Sequence, residues 1–592
     1  MTRLFNDPSD FADELVEGFV AANRRWVRRV EGGVARRHRP REGQVAVVIG
    51  GGSGHYPAFG GLVGPGLAHG AAMGNLFASP SAQQVYAVAK AAEGGGGVFL
   101  SYGNYAGDVL NFDTAQQRLN DEGVECRTVV VTDDISSAPV SDIARRRGIA
   151  GDLTVFKVAG AAAEEGAALD EVVRVATLAN DRTRSIGVAF AGCTLPGADA
   201  PLFEVPEGRM AVGLGIHGEP GISETDVPTA DDLAELFVSS LLGELSDGIP
   251  AAQGQRAAVI LNGLGSVKYE ELFVVYRRVA RLLEDAGVTV VEPEVGELVT
   301  SFDMAGASLT ILWLDEELER LWSAPADTPA YRKGRVAERA GEPGDEDDEL
   351  EDDELEDGTV ASELPDASPA SRAVASAVTA LFEVLSREMD EHAEELGRID
   401  AIAGDGDHGI GMQRGASAAL AAAKSALERG AGAGSVLERA GDAWSNRAGG
   451  TSGALWGLAL TTLGARIGDD ADPAAPDIAS AVDAAVDAIR GAGKAAVGDK
   501  TMVDAIVPFA ERLRDELGRG SAPADALAAA ALAARDAAAA SADLVPRMGR
   551  ARPHADKSVG TPDPGAHSFA LIVTAIAAAL PEVAARPEKG SA

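Results

Sequence analysis

The run DEDDELEDDELED, residues 345–357, limits what this chain can fold into more than any other stretch. Eleven of its thirteen positions are carboxylates and the other two are leucines. Like charges at that density repel one another, and two leucines cannot close a core, so the run is not the interior of a domain. GEPG precedes it and SELPDASPAS follows it. An acidic linker over 335–370 is expected, dividing the chain into an N-terminal part, 1–334, and a C-terminal part, 371–592. Each part is long enough to bury a core of its own.

The two parts differ in pattern. Before the linker, short apolar runs recur: VAVVIG, GGVFLSYG, RTVVVTDD, SIGVAFAG, RMAVGLGI, RAAVILNGLG and TILWLD. Helical stretches such as SAQQVYAVAKAA and LAELFVSSLLGEL lie between them. That alternation predicts an α/β domain. Glycine-rich turns end several of the runs, where open α/β sheets bind ligands. After the linker, Val374, Val378, Leu381, Phe382, Leu385 and Met389 follow a 3.6-residue period. Alanine dominates the rest, which predicts an all-α domain.

Charge and cysteine content exclude several functions. The net charge is −39, of which the linker run supplies 11, so both parts remain acidic and a basic nucleic-acid-binding face is excluded. Cys126 and Cys193 are the only cysteines, too few for a disulfide framework or a thiolate metal site. With no apolar leader pattern in MTRLFNDPSDFADEL, a cytoplasmic protein is expected. The most suspicious apolar segment, ALAAAALAARDAAAASA, is broken by Arg535 and Asp536 and reads as a packed helix rather than a membrane span.

Four polar, glycine-rich loops stand out in the C-terminal part. RIDAIAGDGDHGIGM brings Asp400, Asp405, Gly406, Asp407 and His408 together. Asp-Gly pairs make ordinary turns, but three carboxylates on a short loop also suit Mg²⁺ beside substrate phosphates. An EF-hand fails, because the twelfth position counted from Asp405 is Ala416. NRAGGTSGALWG offers backbone N–H groups with Thr451 and Ser452 ahead of a helix, either a tight turn or an anion site. GKAAVGDKTMVDAIVP carries Gly493, Thr501 and Met502, and VGTPDPGAHS carries Asp563, Pro564 and Gly565. Together they suggest a nucleotide-phosphate and Mg²⁺ site. No Walker A sequence occurs, so it is not a P-loop.

In the N-terminal part, GGGSGH holds Gly52, Ser53, Gly54 and His55 at the end of a strand. SYGNYAGDVLNFD holds Asp108, VGLGIHGEPG holds His217, and TSFDMAGAS holds Asp303. Neither histidine has a zinc-type partner motif. GGSGH also fails as a nucleophile elbow, since His55 stands where the last glycine is needed.

These motifs resemble the single-chain, ATP-dependent dihydroxyacetone kinase family over nearly the whole chain. LFNDPSDFADELVEGFVAAN, GGGSGHYPAFGGLVGPGLAHGA, NYAGDVLNF, RGIAGDLTVFKVAGAAAE, GIHGEP and DMAGAS resemble its ketose-binding domain. GDGDHG, GGTSGALWG, GDKTMVDA and GTPDPGA resemble its nucleotide-binding domain, an antiparallel helix barrel. The resemblance implies that His217 adds to the substrate ketone as a covalent hemiaminal, and that Asp108 and His55 bind its hydroxyls and assist proton removal. It implies that Gly52, Ser53 and Gly54 line the same pocket. Asp400, Asp405 and Asp407 would hold two Mg²⁺ ions on ATP. Gly406, His408, Thr451, Ser452, Gly493, Thr501, Met502, Asp563, Pro564 and Gly565 would contact the nucleotide. A homodimer is implied as well. Some members cyclise FAD, and relatives of the separate domains act as non-catalytic regulators; both are alternatives.

The sequence departs from the family's pattern at two places. The family commonly reads H-E-P-A-H where this chain has His55, Tyr56, Pro57, Ala58 and Phe59. It commonly has a lysine where this chain has Gly103. The altered pocket wall points to a longer ketose than dihydroxyacetone, and a four-carbon sugar such as erythrulose is expected.

Overall fold

The computed structural model describes residues 4–334 and 364–584, apart from 217, 218, 220, 247, 403, 405 and 549–554. Two compact units divide the chain at 355/356. Most of the expected linker lies outside the described residues. At its far end, the first helix of the second unit starts at Pro369, two positions inside the expected linker, because Ser368 caps it and Pro369 suits its first turn.

The N-terminal unit contains two main sheets. In the six-stranded sheet, Gly70–Leu76, Gln44–Ser53, Gly95–Gly103 and Cys126–Val131 lie side by side and parallel. The hairpin Val27–Val30 and Gly33–Arg36 extends it antiparallel. All ten residues of Gln44–Ser53 are buried, as a parallel strand covered on both faces requires. The second sheet is largely antiparallel, built on Arg256–Gly263, Ala305–Leu314 and Thr183–Ala191. The helix Gly151–Glu164 packs on strands of both sheets and is buried at thirteen of its fourteen positions. Most of its residues are small or apolar for that reason, although Asp152, Thr154 and Lys157 are buried with them. Its Gly160 allows close approach, because a Cβ there would stand 2.4 Å from the Leu67 carbonyl oxygen.

The C-terminal unit is a ring of helices. Among the described residues, eight helices of sixteen or more residues follow in order: Pro369–Asp400, His408–Glu428, Ala433–Ala448, Gly450–Ile467, Ala475–Gly493, Val503–Gly518, Pro523–Ala540 and Pro564–Ala584. Each packs on the next, and the last packs on the first. Neighbours run antiparallel: Gly434 abuts Gly468, and Gly441 abuts the Gly457 carbonyl. The core is filled by small alanines and by Trp444 stacked on Trp456 at 5.0 Å. In the first helix the buried stripe is Ala375, Thr379, Phe382, Leu385 and Met389. The apolar spacing holds for Phe382, Leu385 and Met389, and Val378 packs half-buried against the same core beside the buried Ala375 and Thr379.

The apolar pattern needs one correction. Among the described residues, only the helix over Pro564–Pro581 is long and apolar enough to cross a membrane; the sequence pattern points instead to 526–542. His567 and Ser568 interrupt the apolar run, but no Asp, Glu, Lys or Arg does. That helix closes the ring, packed on Pro523–Ala540 and Pro369–Asp400.

Candidate active site

Four parallel strands of the first sheet end on one edge, at Leu76, Ser53, Gly103 and Val131. His55 follows the second of these ends. Asp108 stands in the first turn of the helix Ala106–Asp121 that follows the third. Both are buried. The loop after Leu76 touches both sides: the Phe77 ring lies 4.9 Å from the His55 ring, and Ser79 Oγ is 3.2 Å from Asn111 Nδ2, one helical turn beyond Asp108.

His55 is held in one orientation. Its Nδ1 lies 2.7 Å from the carbonyl oxygen of Thr300. A carbonyl only accepts, so Nδ1 carries the proton, and in the neutral ring Nε2 is the basic nitrogen. The Thr300 loop also binds the histidine loop by backbone bonds, from Phe302 N–H to Gly54 and from Thr300 N–H to His55. Ser301 Oγ donates to the carbonyl of Ile216, which immediately precedes His217. One loop therefore grips the segments of both histidines, although His217 itself lies outside the described residues. Buried Asn262 anchors that loop: its Nδ2 donates to Val299, and its Oδ1 accepts from Leu298 and Val299. Arg147 pairs with Asp134 at 2.9 Å and donates to the Gly213 carbonyl, bracing the other side of the His217 loop. Asp303 accepts from the backbone of Thr194. The sequence pattern flagged TSFDMAGAS for Asp303 and gave no role to its Thr300 and Ser301, nor to Asn262 or Arg147.

The glycines of GGGSGH have a cause nearer than a ligand. A Cβ on Gly50 would stand 2.5 Å from the Ala72 carbonyl oxygen, on Gly51 2.5 Å from the Phe59 ring, and on Gly52 2.7 Å from the Ala78 nitrogen. Their neighbours in the chain occupy that room. Ser53 Oγ donates to the Gly74 carbonyl at 2.6 Å, and Gly54 takes φ +105°, a conformation glycine adopts freely. Phe59 packs against His55 and Phe156, while Tyr56 is about half exposed. At Gly103 the space is not empty, because a Cβ would meet the Tyr105 ring at 3.1 Å.

In the ring, up-and-down topology explains why four polar loops occur. Connections one, three, five and seven of eight antiparallel helices fall on the same end. They are residues 401–407, 449, 494–502 and 541–563, the positions of the four glycine-rich motifs. Contacts agree. Gly565 abuts Met502, and Gly411 faces the Ala448 carbonyl next to Thr451 and Ser452. Gly493 faces Leu455 on the helix that Thr451 and Ser452 begin. Asp400 Oδ2 accepts from the backbone of Gly406 at 2.9 Å and of His408 at 3.4 Å. His408 Nε2 lies 3.0 Å from Ser568 Oγ. Asp563 caps the helix that begins at Pro564, accepting from Ala566 N–H. Asp504 shapes the GDKT turn by accepting from Gly498 and Thr501. Lys500 is turned inward, donating to the carbonyls of Leu544 and Ser558.

Carboxylates crowd that end. Burial first, then the nearby Asp400, pushes Asp407 up to about 7. Burial, with Asp504 and Asp400 near, pushes Asp563 up to about 7. Buried carboxyls that repel one another suit an oxygen-binding dication, which would relieve the repulsion. Among the described residues no three His, Cys, Asp or Glu side chains form a cation cluster by themselves. The set Asp400, Asp405 and Asp407 includes Asp405, which lies outside them.

Comparison with known proteins identifies the family. The Dak1 domain matches residues 17–330 and the DAK2 domain matches 402–578. The chain belongs to the dihydroxyacetone kinase family, with the α/β unit and the helical unit on one polypeptide. It is 59% identical to the L-erythrulose kinase of Pectobacterium atrosepticum, over 98% of this chain and 97% of that one. It is 56% identical to the D-erythrulose kinase of Mycolicibacterium smegmatis, over 98% of each. The solved dihydroxyacetone kinase of C. freundii in complex with AMP-PNP and Mg²⁺ is 28% identical, with a TM-score of 0.51, over 98% of this chain and 99% of that one.

Proposed function

We propose that this chain, an ATP-dependent ketose kinase, phosphorylates a terminal hydroxyl of a four-carbon ketose such as erythrulose. The observation that carries the reading is the division of labour between two built edges. One is a strand-end edge with a histidine held in one orientation and a buried aspartate. The other is a ring end where four polar loops meet around carboxylates. Two full-length relatives with erythrulose in their names support the four-carbon substrate.

In this reading His217 captures the ketone. The lone pair of one imidazole nitrogen adds to the carbonyl carbon, the carbonyl oxygen takes up a proton, and the other ring nitrogen releases one. The product is a neutral hemiaminal. Capture selects carbonyl compounds over plain polyols and fixes the hydroxyl for attack. Asp108 takes the proton from the hydroxyl that receives the phosphoryl group, and His55 Nε2 accepts a hydrogen bond from a substrate hydroxyl. Gly52, Ser53 and Gly54 shape the wall beside them. Thr451 and Ser452, at the start of the helix Gly450–Ile467, present N–H groups to phosphate oxygens. Asp400, Asp405 and Asp407 would hold two Mg²⁺ ions, which neutralise charge on the ATP phosphates.

A panel of dihydroxyacetone, D-erythrulose and L-erythrulose with ATP, read by ADP release, tests the substrate. The expected result is a kcat/KM at least ten-fold higher (about 1.4 kcal/mol) for one erythrulose isomer. A preference for dihydroxyacetone would overturn the four-carbon reading.

A further inference from the structure

Asp152 stands in the first turn of the buried helix Gly151–Glu164, and none of the roles above uses it. It is 1% exposed, and its Oδ1 has no hydrogen-bond partner. Such an atom is costly to keep, since a buried polar group normally finds a partner.

Its position is informative. A Cβ built on Gly148 would stand 2.9 Å from Asp152 Oδ1 and 2.5 Å from Gly103 Cα. The carboxyl therefore lies beside the end of the strand Gly95–Gly103, five residues before Asp108. Neither Gly103 nor Gly148 offers a side chain there. Tyr105 is committed elsewhere, its hydroxyl donating to the Gly148 carbonyl. Asp133, the nearest carboxylate, is also committed: its oxygens accept from the backbone of Ile149 and Gly151.

The electrostatics agree with the geometry. Burial, then the carboxylates of Asp133 and Asp108, hold Asp152 well above the usual carboxylate range. Burial and like charge favour the protonated form of a carboxyl so placed. That form has one O–H to donate and can still accept a bond.

We propose that Asp152 is a substrate-contacting specificity residue, whose carboxyl binds the hydroxyl that a four-carbon ketose carries beyond dihydroxyacetone. This rests on the tetrulose reading above. A site built to bind a hydroxyl discriminates strongly against a ligand that lacks it, because the site's own polar group is then left unpaired.

The test is the ratio of kcat/KM for the better erythrulose isomer to that for dihydroxyacetone. It is measured in the full chain for wild type, Asp152→Leu and Asp152→Asn. Asp152→Leu keeps roughly the volume and removes both polar atoms, so the ratio should fall at least five-fold. Asp152→Asn keeps a donor and an acceptor and should hold the ratio within about three-fold. If the leucine variant does not fold, Asp152→Ala takes its place with the same five-fold criterion. A ratio that falls less than five-fold in the apolar variant overturns the proposal, as does an asparagine variant that falls as far as the apolar one. The wild-type preference alone judges the tetrulose reading, so the two can fail separately.

Discussion

The glycine runs at 50–52 and 449–450 look alike in sequence and are built for opposite reasons. At 50–52 the chain's own backbone and Phe59 fill the room a side chain would need. At Gly449 and Gly450, φ is +65° and +60°, and nothing lies within 4 Å of a Cβ on Gly450. The first run makes a packed wall behind a fixed histidine. The second makes an open turn that leaves helix N–H groups available. A glycine-rich motif therefore marks either a crowded backbone or an exposed one, and only its neighbours tell which.

Several experiments would break or sharpen that contrast. The largest effect is expected on chemistry at the packed edge. Asp108→Asn keeps the shape and removes the base, so kcat should fall about 10²–10⁴-fold. MgATP affinity, read by calorimetry, should not follow it. Next comes Gly52→Ala, whose methyl would press into the backbone of residues 77–78. Thermal unfolding should show a loss of about 3 kcal/mol. Asn262→Ala releases the loop that holds His55 and should cost about 2 kcal/mol, with a rise in ketose KM that the ATP KM does not share. Gly450→Ala meets no clash but strains a left-handed turn. It should cost only about 1 kcal/mol and should show chiefly as weaker MgATP binding. A stability loss at Gly450 as large as at Gly52 would erase the distinction.

A further effect concerns pH. Lys157 is buried in the central helix with Nζ donating to the Leu321 carbonyl. Burial, with Lys333 near, pushes it down to about 7. Between about 7 and the ordinary lysine value the unfolded chain binds the extra proton, so stability rises with pH across that window. Lys157→Met should flatten that slope in chemical denaturation at pH 7 and pH 9. An unchanged slope would show that the ammonium carries no such penalty.

Much of this was legible in the sequence. Fold class followed from periodicity, because strand and helix runs were long and cleanly punctuated. The acidic run marked the division, and the four ring loops announced themselves by glycine and aspartate where helices had to turn. Residues that act across long separations were not legible. Thr300 holds His55 from 245 positions away, and nothing in its local sequence marks a carbonyl that fixes a tautomer. Asn262 and Arg147 read as ordinary polar residues until the loops they brace are seen. Gly50, Gly51 and Gly52 were visible, but their physical cause lay in Ala72, Phe59 and Ala78. Lys500 read as part of a phosphate loop because motif spacing does not reveal which way a side chain turns.

The claim that each unit carries one half of the reaction is tested most directly by titrating erythrulose and MgATP separately into wild type and Asp407→Ala by calorimetry. The account predicts that Asp407→Ala binds erythrulose within about two-fold of wild type while MgATP binding weakens at least ten-fold (about 1.4 kcal/mol). Erythrulose binding lost together with MgATP binding, or MgATP binding unchanged, would contradict it.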